Sequence, residues 1–118
     1  MKLNFRFMDN RLMKLLKDIS ICIENIDNYL GEKKIFEDYD SNFLVQDAVE
    51  RNIITIGEAM NLILKISPDI EISNSRKIVD ARNKLTHGYD EIENLQIWNI
   101  IIKHLPVLEY EISKLLRP

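Results

Sequence analysis

The sequence predicts an all-α protein, an antiparallel bundle of four main helices forming a single domain over residues 1–118, and three observations carry that prediction. Apolar residues recur at steps of three and four over long stretches, which is the helical period. Glycine and proline number only three each, too few for the turns of an all-β chain. The apolar share is 46% of 118 residues, enough for one continuous core and too much for a disordered chain.

The first helix is expected from Met8 to Leu30. Met8, Leu12, Leu15, Ile19, Cys22, Ile26 and Tyr29 form a stripe whose steps alternate between four and three. Asp9 or Asn10 suits its cap and Gly31 its stop. Cys22 lies on the stripe, so it reads as a small core residue. The connector "EKKIFEDYDSN" has room for one helical turn around Phe36 and Tyr39. A second long helix follows from Ser41 to Ile66. It is apolar on two sides, with Val49, Ile53, Ile56, Met60 and Ile63 among its residues, and so predicts burial on two sides. In so small a domain the second side is expected to be a subunit interface. Gly57 in its middle costs helix stability relative to alanine and suggests close approach by another helix.

Pro68 breaks the chain in "SPDIEISNS". A third helix is expected from Ser73 or Asn74 to Gly88, a residue suited to a left-handed terminus, with Ile78, Val79, Ala81 and Leu85 turned to the core. Asp90 is expected to start the last helix, with Glu93 at capping-box spacing. That helix, "EIENLQIWNIIIKHL", is interrupted at Pro106 and resumes in "VLEYEISKLL".

The net charge of −3 argues against broad binding of a polyanion. The charge is uneven, however. Residues 73 to 89 carry Arg76, Lys77, Arg82 and Lys84 against Asp80, a local +3, which leaves −6 for the rest. This is either a focused anion site or a solvated face with acids nearby in space. One cysteine excludes an intrachain disulfide and fits a reducing compartment. No apolar run approaches the roughly 18 residues that span a bilayer, and "MKLNFRFMDN" lacks the features of a secretion signal. The expectation is a soluble, cytoplasmic protein with no membrane contact.

The stretch "ARNKLTHGYD", residues 81 to 90, concentrates the reactive side chains. Asn83 and His87 are four apart on one helical face, so Asn83 is placed to orient the imidazole. Arg82 is five residues before His87, but its long side chain can reach round to the same pocket. Its planar fork suits phosphate. His87 titrates near neutrality and can move a proton, and Tyr89 can bring a hydroxyl to the same region. Arginine with histidine and a polar orienter suits metal-free cleavage of RNA, whose 2′-hydroxyl is an internal nucleophile. Two copies across a dimer axis would supply both a base and an acid. The bland alternative is helix-end electrostatics, because a histidine at a helix C-terminus is favoured by the dipole. His104, between apolar residues and Pro106, reads as a packing histidine. His87, His104 and Cys22 make no metal ligand set, and no cofactor is expected.

"RNKLTHGY" resembles the motif of the HEPN ribonucleases, in particular the HepT-like toxins: Arg, four residues, His, any residue, Tyr. The similarity extends to "QDAVERNIITIGEA" (46–59) and "IWNIIIKHLPVLEYEI" (97–112). The resemblance implies an all-α homodimer with both motifs facing one cleft. It also implies a metal-independent endoribonuclease toxin of a type II toxin–antitoxin system, acting on mRNA or tRNA. Arg82 and His87 match the catalytic pair and Asn83 the polar residue that follows the arginine. Tyr89 matches a tyrosine that a partner nucleotidyltransferase antitoxin of the MNT type modifies with AMP. Arg76, Lys77 and Lys84 are the candidate RNA-binding residues. "IEISNSRKIVDA" departs from the family pattern in lacking an aromatic before the motif. A rival reading is a non-catalytic HEPN subunit that binds a nucleotide or a nucleotidyltransferase.

Overall fold

A computed structural model describes residues 9–88 and 92–117, so Met8, Tyr89 and Asp90 lie outside the described residues. The described residues are helical with no strand: α1 (Asn10–Leu30), α2 (Phe36–Asp40), α3 (Phe43–Ile66), α4 (Ser75–His87), α5 (Asn94–Asn99) and α6 (Leu105–Leu116), with a π-helical turn, Ile100–His104, between the last two. The all-α bundle is as expected.

Asp9 caps α1 by accepting the Leu12 amide at 2.8 Å, and Gly31 ends it at φ 77°. The buried stripe is wider than the sequence period suggested: Leu16 and Ile23 are buried with Leu12, Ile19, Cys22 and Ile26, whereas Tyr29 is 45% exposed. Burial raises the pKa of the Cys22 thiol, with Asp18 adding to it, so the residue behaves as a core side chain. α2 packs on the start of α3, where Gln46 donates to the Tyr39 carbonyl at 2.9 Å. Tyr39 lies under Trp98, with ring centroids 5.5 Å apart, and Phe36 meets the same indole edge-on at 5.6 Å.

α3 is capped by Asn42, which accepts the Val45 amide, and it is buried on two sides as its composition requires. α1 packs on one flank and α4 on the other, within the same chain. A two-sided apolar helix demands two neighbours, and 118 residues suffice to supply both. Asn25 and Asn52 pair across α1 and α3 at 3.2 Å, satisfying a nearly buried amide.

The last helix starts at Asn94, with Glu93 and Gln96 forming a capping box in place of the expected Asp90–Glu93 pair. The interruption at Pro106 takes the form of the π turn immediately before it. Proline has no N–H to donate and its ring crowds the carbonyl four residues back. The wider i→i+5 turn relieves both, and the Leu105 amide reaches the Ile100 carbonyl. α6 then packs on α1 through a segment that buries Leu108 and Ile112. Among the described residues, no helix is long and apolar enough to cross a membrane.

Candidate functional site

α4 carries the candidate site, and two contacts fix its place. Its N-cap, Asn74, sits in the left-handed region at φ 58°, which asparagine tolerates. Just before it, Ser73 gives its amide and hydroxyl to Glu111 of α6 at 2.8 to 3.1 Å. In the middle of the helix, Arg82 meets Gly57. A Cβ built on Gly57 would lie 2.2 Å from the Arg82 Cβ, 2.8 Å from its Cγ and 3.2 Å from the Ile78 carbonyl oxygen. Only the missing methyl lets α4 come this close, so the close approach expected at Gly57 is realised by the motif helix. Gly88 ends α4 at φ 66°.

The wedge at Gly57 places the Arg82 stem on the α3 side of α4, among the buried residues Ile78 and Val79 and the half-buried Leu85. Its Nε is buried and makes no hydrogen bond among the described residues. The guanidinium then turns back along its own helix and donates to Asn83 Oδ1 at 2.8 Å. Asn83, the residue expected to orient His87, thus has its carboxamide oxygen on the arginine. Neighbouring helix positions do not face one another, and the length of arginine is what closes the gap. Thr86 reinforces the segment by donating to the Arg82 carbonyl at 2.9 Å. His87 is exposed in the last turn of α4, where the helix dipole favours a cation. Arg76, Asn83 and His87 fall on one face by helical geometry. Tyr89, the candidate for AMP modification, lies outside the described residues.

A groove of about 770 Å³ runs along another face of α4. Lys77, Asp80, Ala81 and Lys84 line one wall, and residues between Ile92 and His104 line the other. Arg82, Asn83 and His87 are not among its lining residues. Of the candidate RNA-binding residues, Lys77 and Lys84 line this groove, while Arg76 is exposed outside it.

His104 corrects the packing role that its neighbours in the sequence suggested. It is only half-buried and lines the groove beside Lys103. Partial burial lowers its pKa from the ordinary 6.5, and Lys77 and Lys103 lower it further.

The profile of the family described as "Ribonuclease HepT-like" matches residues 19–115. The chain is 31% identical over 104 residues to "Probable ribonuclease HepT" of Thermococcus cleftensis, covering 85% of this chain and 91% of that protein. It is 30% identical over 83 residues to a "Putative RNase" of Caldanaerobacter subterraneus subsp. tengcongensis, covering 70% of this chain and 74% of that one. A Methanocaldococcus jannaschii protein named "Gamma-glutamylcyclotransferase and putative RNase" is 31% identical over 102 residues, and the match spans 86% of this chain but 46% of that relative. No solved structure gives a match. The chain belongs to the Ribonuclease HepT-like family.

Proposed function

We propose that the protein is a metal-independent endoribonuclease toxin whose reaction is run by Arg82 and His87. The observation that carries this reading is the construction around Arg82. Its stem is wedged on Gly57, and its head is braced by Asn83 at 2.8 Å. An arginine so constrained presents a fixed cationic fork, which suits a phosphodiester gaining negative charge. Family membership and the relatives named as ribonucleases support the substrate class.

His87 takes the proton from the ribose 2′-hydroxyl. The 2′-oxygen attacks the adjacent phosphorus, Arg82 holds the equatorial oxygens, and the bond to the 5′-oxygen breaks as that oxygen receives a proton. The products are a 2′,3′-cyclic phosphate and a 5′-hydroxyl. The motif holds one histidine, so base and acid together require two motifs, which a homodimer with a shared cleft supplies. In the same reading the RNA is mRNA or tRNA, and the antitoxin is a nucleotidyltransferase of the MNT type. Transfer of AMP to Tyr89 places negative charge and bulk beside the phosphate site and shuts it.

Expression tests the whole reading. Wild-type chain made alone arrests growth and cleaves RNA. Chain made with an MNT-type nucleotidyltransferase gains the mass of an adenylyl group at Tyr89 and loses cleavage. Harmless expression, a stable complex and no nuclease activity would replace this reading with that of a binding subunit.

A further inference from the structure

The groove between α4 and the π turn has no part in the chemistry assigned to Arg82 and His87. Its composition is two-sided. Trp98, Ile92, Leu95, Ile100 and Ile102 provide apolar surface, and Lys77, Lys84 and Lys103 provide positive charge. Asp80 and Glu93 are the acids in its lining. Yet none of the three lysines is in a salt bridge among the described residues, where the two ion pairs are Lys14–Asp18 and Lys34–Asp27. Lys77 and Lys103 come from different helical segments and both act on His104. Three lysines against two acids in a concave lining, on a chain of net charge −3, give the groove a local positive excess that suits an anion. The π turn sharpens the arrangement: Ile100, Ile102, Lys103 and His104, four of its five residues, all line the groove.

We propose that this groove is a subsite for one nucleotide of a single-stranded RNA, with the base against the Trp98 and isoleucine wall and its phosphate between Lys77 and Lys103. Apolar and aromatic surface accepts a base without regard to sequence, and lysine ammonium groups accept the backbone. This rests on the nuclease reading for its choice of ligand and deepens it: the groove holds the strand while the neighbouring face of α4 cuts it.

Trp98 is the one tryptophan of the chain, so its emission reports on the groove directly. The probe is a 2′-O-methyl RNA oligonucleotide, which lacks the nucleophile and cannot be cleaved. Titrated into the full chain at low salt, it should change Trp98 emission saturably. Lys77→Ala combined with Lys103→Ala should weaken that binding about tenfold or more, as removal of two phosphate contacts does. Lys14→Ala, on exposed α1 surface, should leave it unchanged. Binding should also raise the pKa of His104, followed by its ring proton shifts in NMR, because a phosphate offsets Lys77 and Lys103 while Lys84, Asp80 and Glu93 stay in place. Three results would overturn the assignment: no saturable change with the oligonucleotide, saturation by 5′-AMP but not by the oligonucleotide, or equal affinity in the double lysine variant. The two readings fail separately. Full RNA cleavage with an unchanged KM in the double variant removes the groove alone. Intact binding without any cleavage by the wild-type chain removes the nuclease roles of Arg82 and His87 alone.

Discussion

Replacing Gly57 by alanine tests whether the wedge on α3 positions Arg82. The new Cβ would meet the Arg82 Cβ at 2.2 Å, whereas carbon atoms settle at about 3.5–4.0 Å. The shortfall is roughly 1.5 Å, and the atom opposite is a Cβ, which cannot swing aside as a side-chain tip does. α4 must therefore move off α3. Overpacking of this kind costs about 1–3 kcal/mol, while alanine returns about 1 kcal/mol of helix propensity. The net loss is on the order of 1 kcal/mol, a fall in Tm of about 5 °C for a domain of this size. Activity should suffer far more, because a displacement of about 1 Å at a reacting group costs roughly a hundredfold. Thermal melts by circular dichroism and RNA cleavage rates, taken on the same preparations, give both numbers. Thr55→Ala, at an exposed position of the same helix, is the control and should keep full activity. A Gly57→Ala chain that melts at or above the wild-type temperature and cleaves normally would refute the close packing and the positioning role together.

Asn83→Ala removes the acceptor that braces Arg82. On a half-exposed helix this bond contributes about 1 kcal/mol, so kcat should fall roughly fivefold with little change in RNA binding; an unchanged kcat would show the brace to be idle. Tyr39→Phe deletes a buried hydroxyl that has no hydrogen-bond partner among the described residues. Stability to urea should stay level or rise by up to about 1 kcal/mol, and a marked loss would reveal a partner. His104 has a folded-state pKa below its unfolded value of about 6.5. The unfolded chain therefore binds more protons as pH falls through that value, and stability declines on the acid side while being insensitive to this group above it. His104→Gln should flatten that part of the stability profile, and an unaltered slope would remove His104 as its source.

Much of this architecture could be read from local chemistry. Asp9, Gly31 and Gly88 mark helix ends because their side chains, or the lack of one, act within a turn of their own position. Gly57 announced a close approach because only a missing side chain permits one. What could not be read was set by partners distant in the chain. Periodicity shows that α3 is buried on two sides, but not that α1 and α4 are the helices that flank it. Spacing places Asn83 near His87, but it does not show that the Arg82 guanidinium reaches Asn83 Oδ1. His104 sits in the π turn before Pro106, a backbone form that residue spacing does not announce, and lines the groove with Lys103.

The central claim is that the Arg82 guanidinium and the His87 imidazole cut RNA through its 2′-hydroxyl. Its most direct measurement is the end-group analysis of RNA incubated in EDTA with purified wild-type, Arg82→Ala and His87→Ala chains. The wild type should leave 2′,3′-cyclic phosphate ends, and neither variant should leave any above background. Equal cleavage by the His87→Ala chain would contradict it.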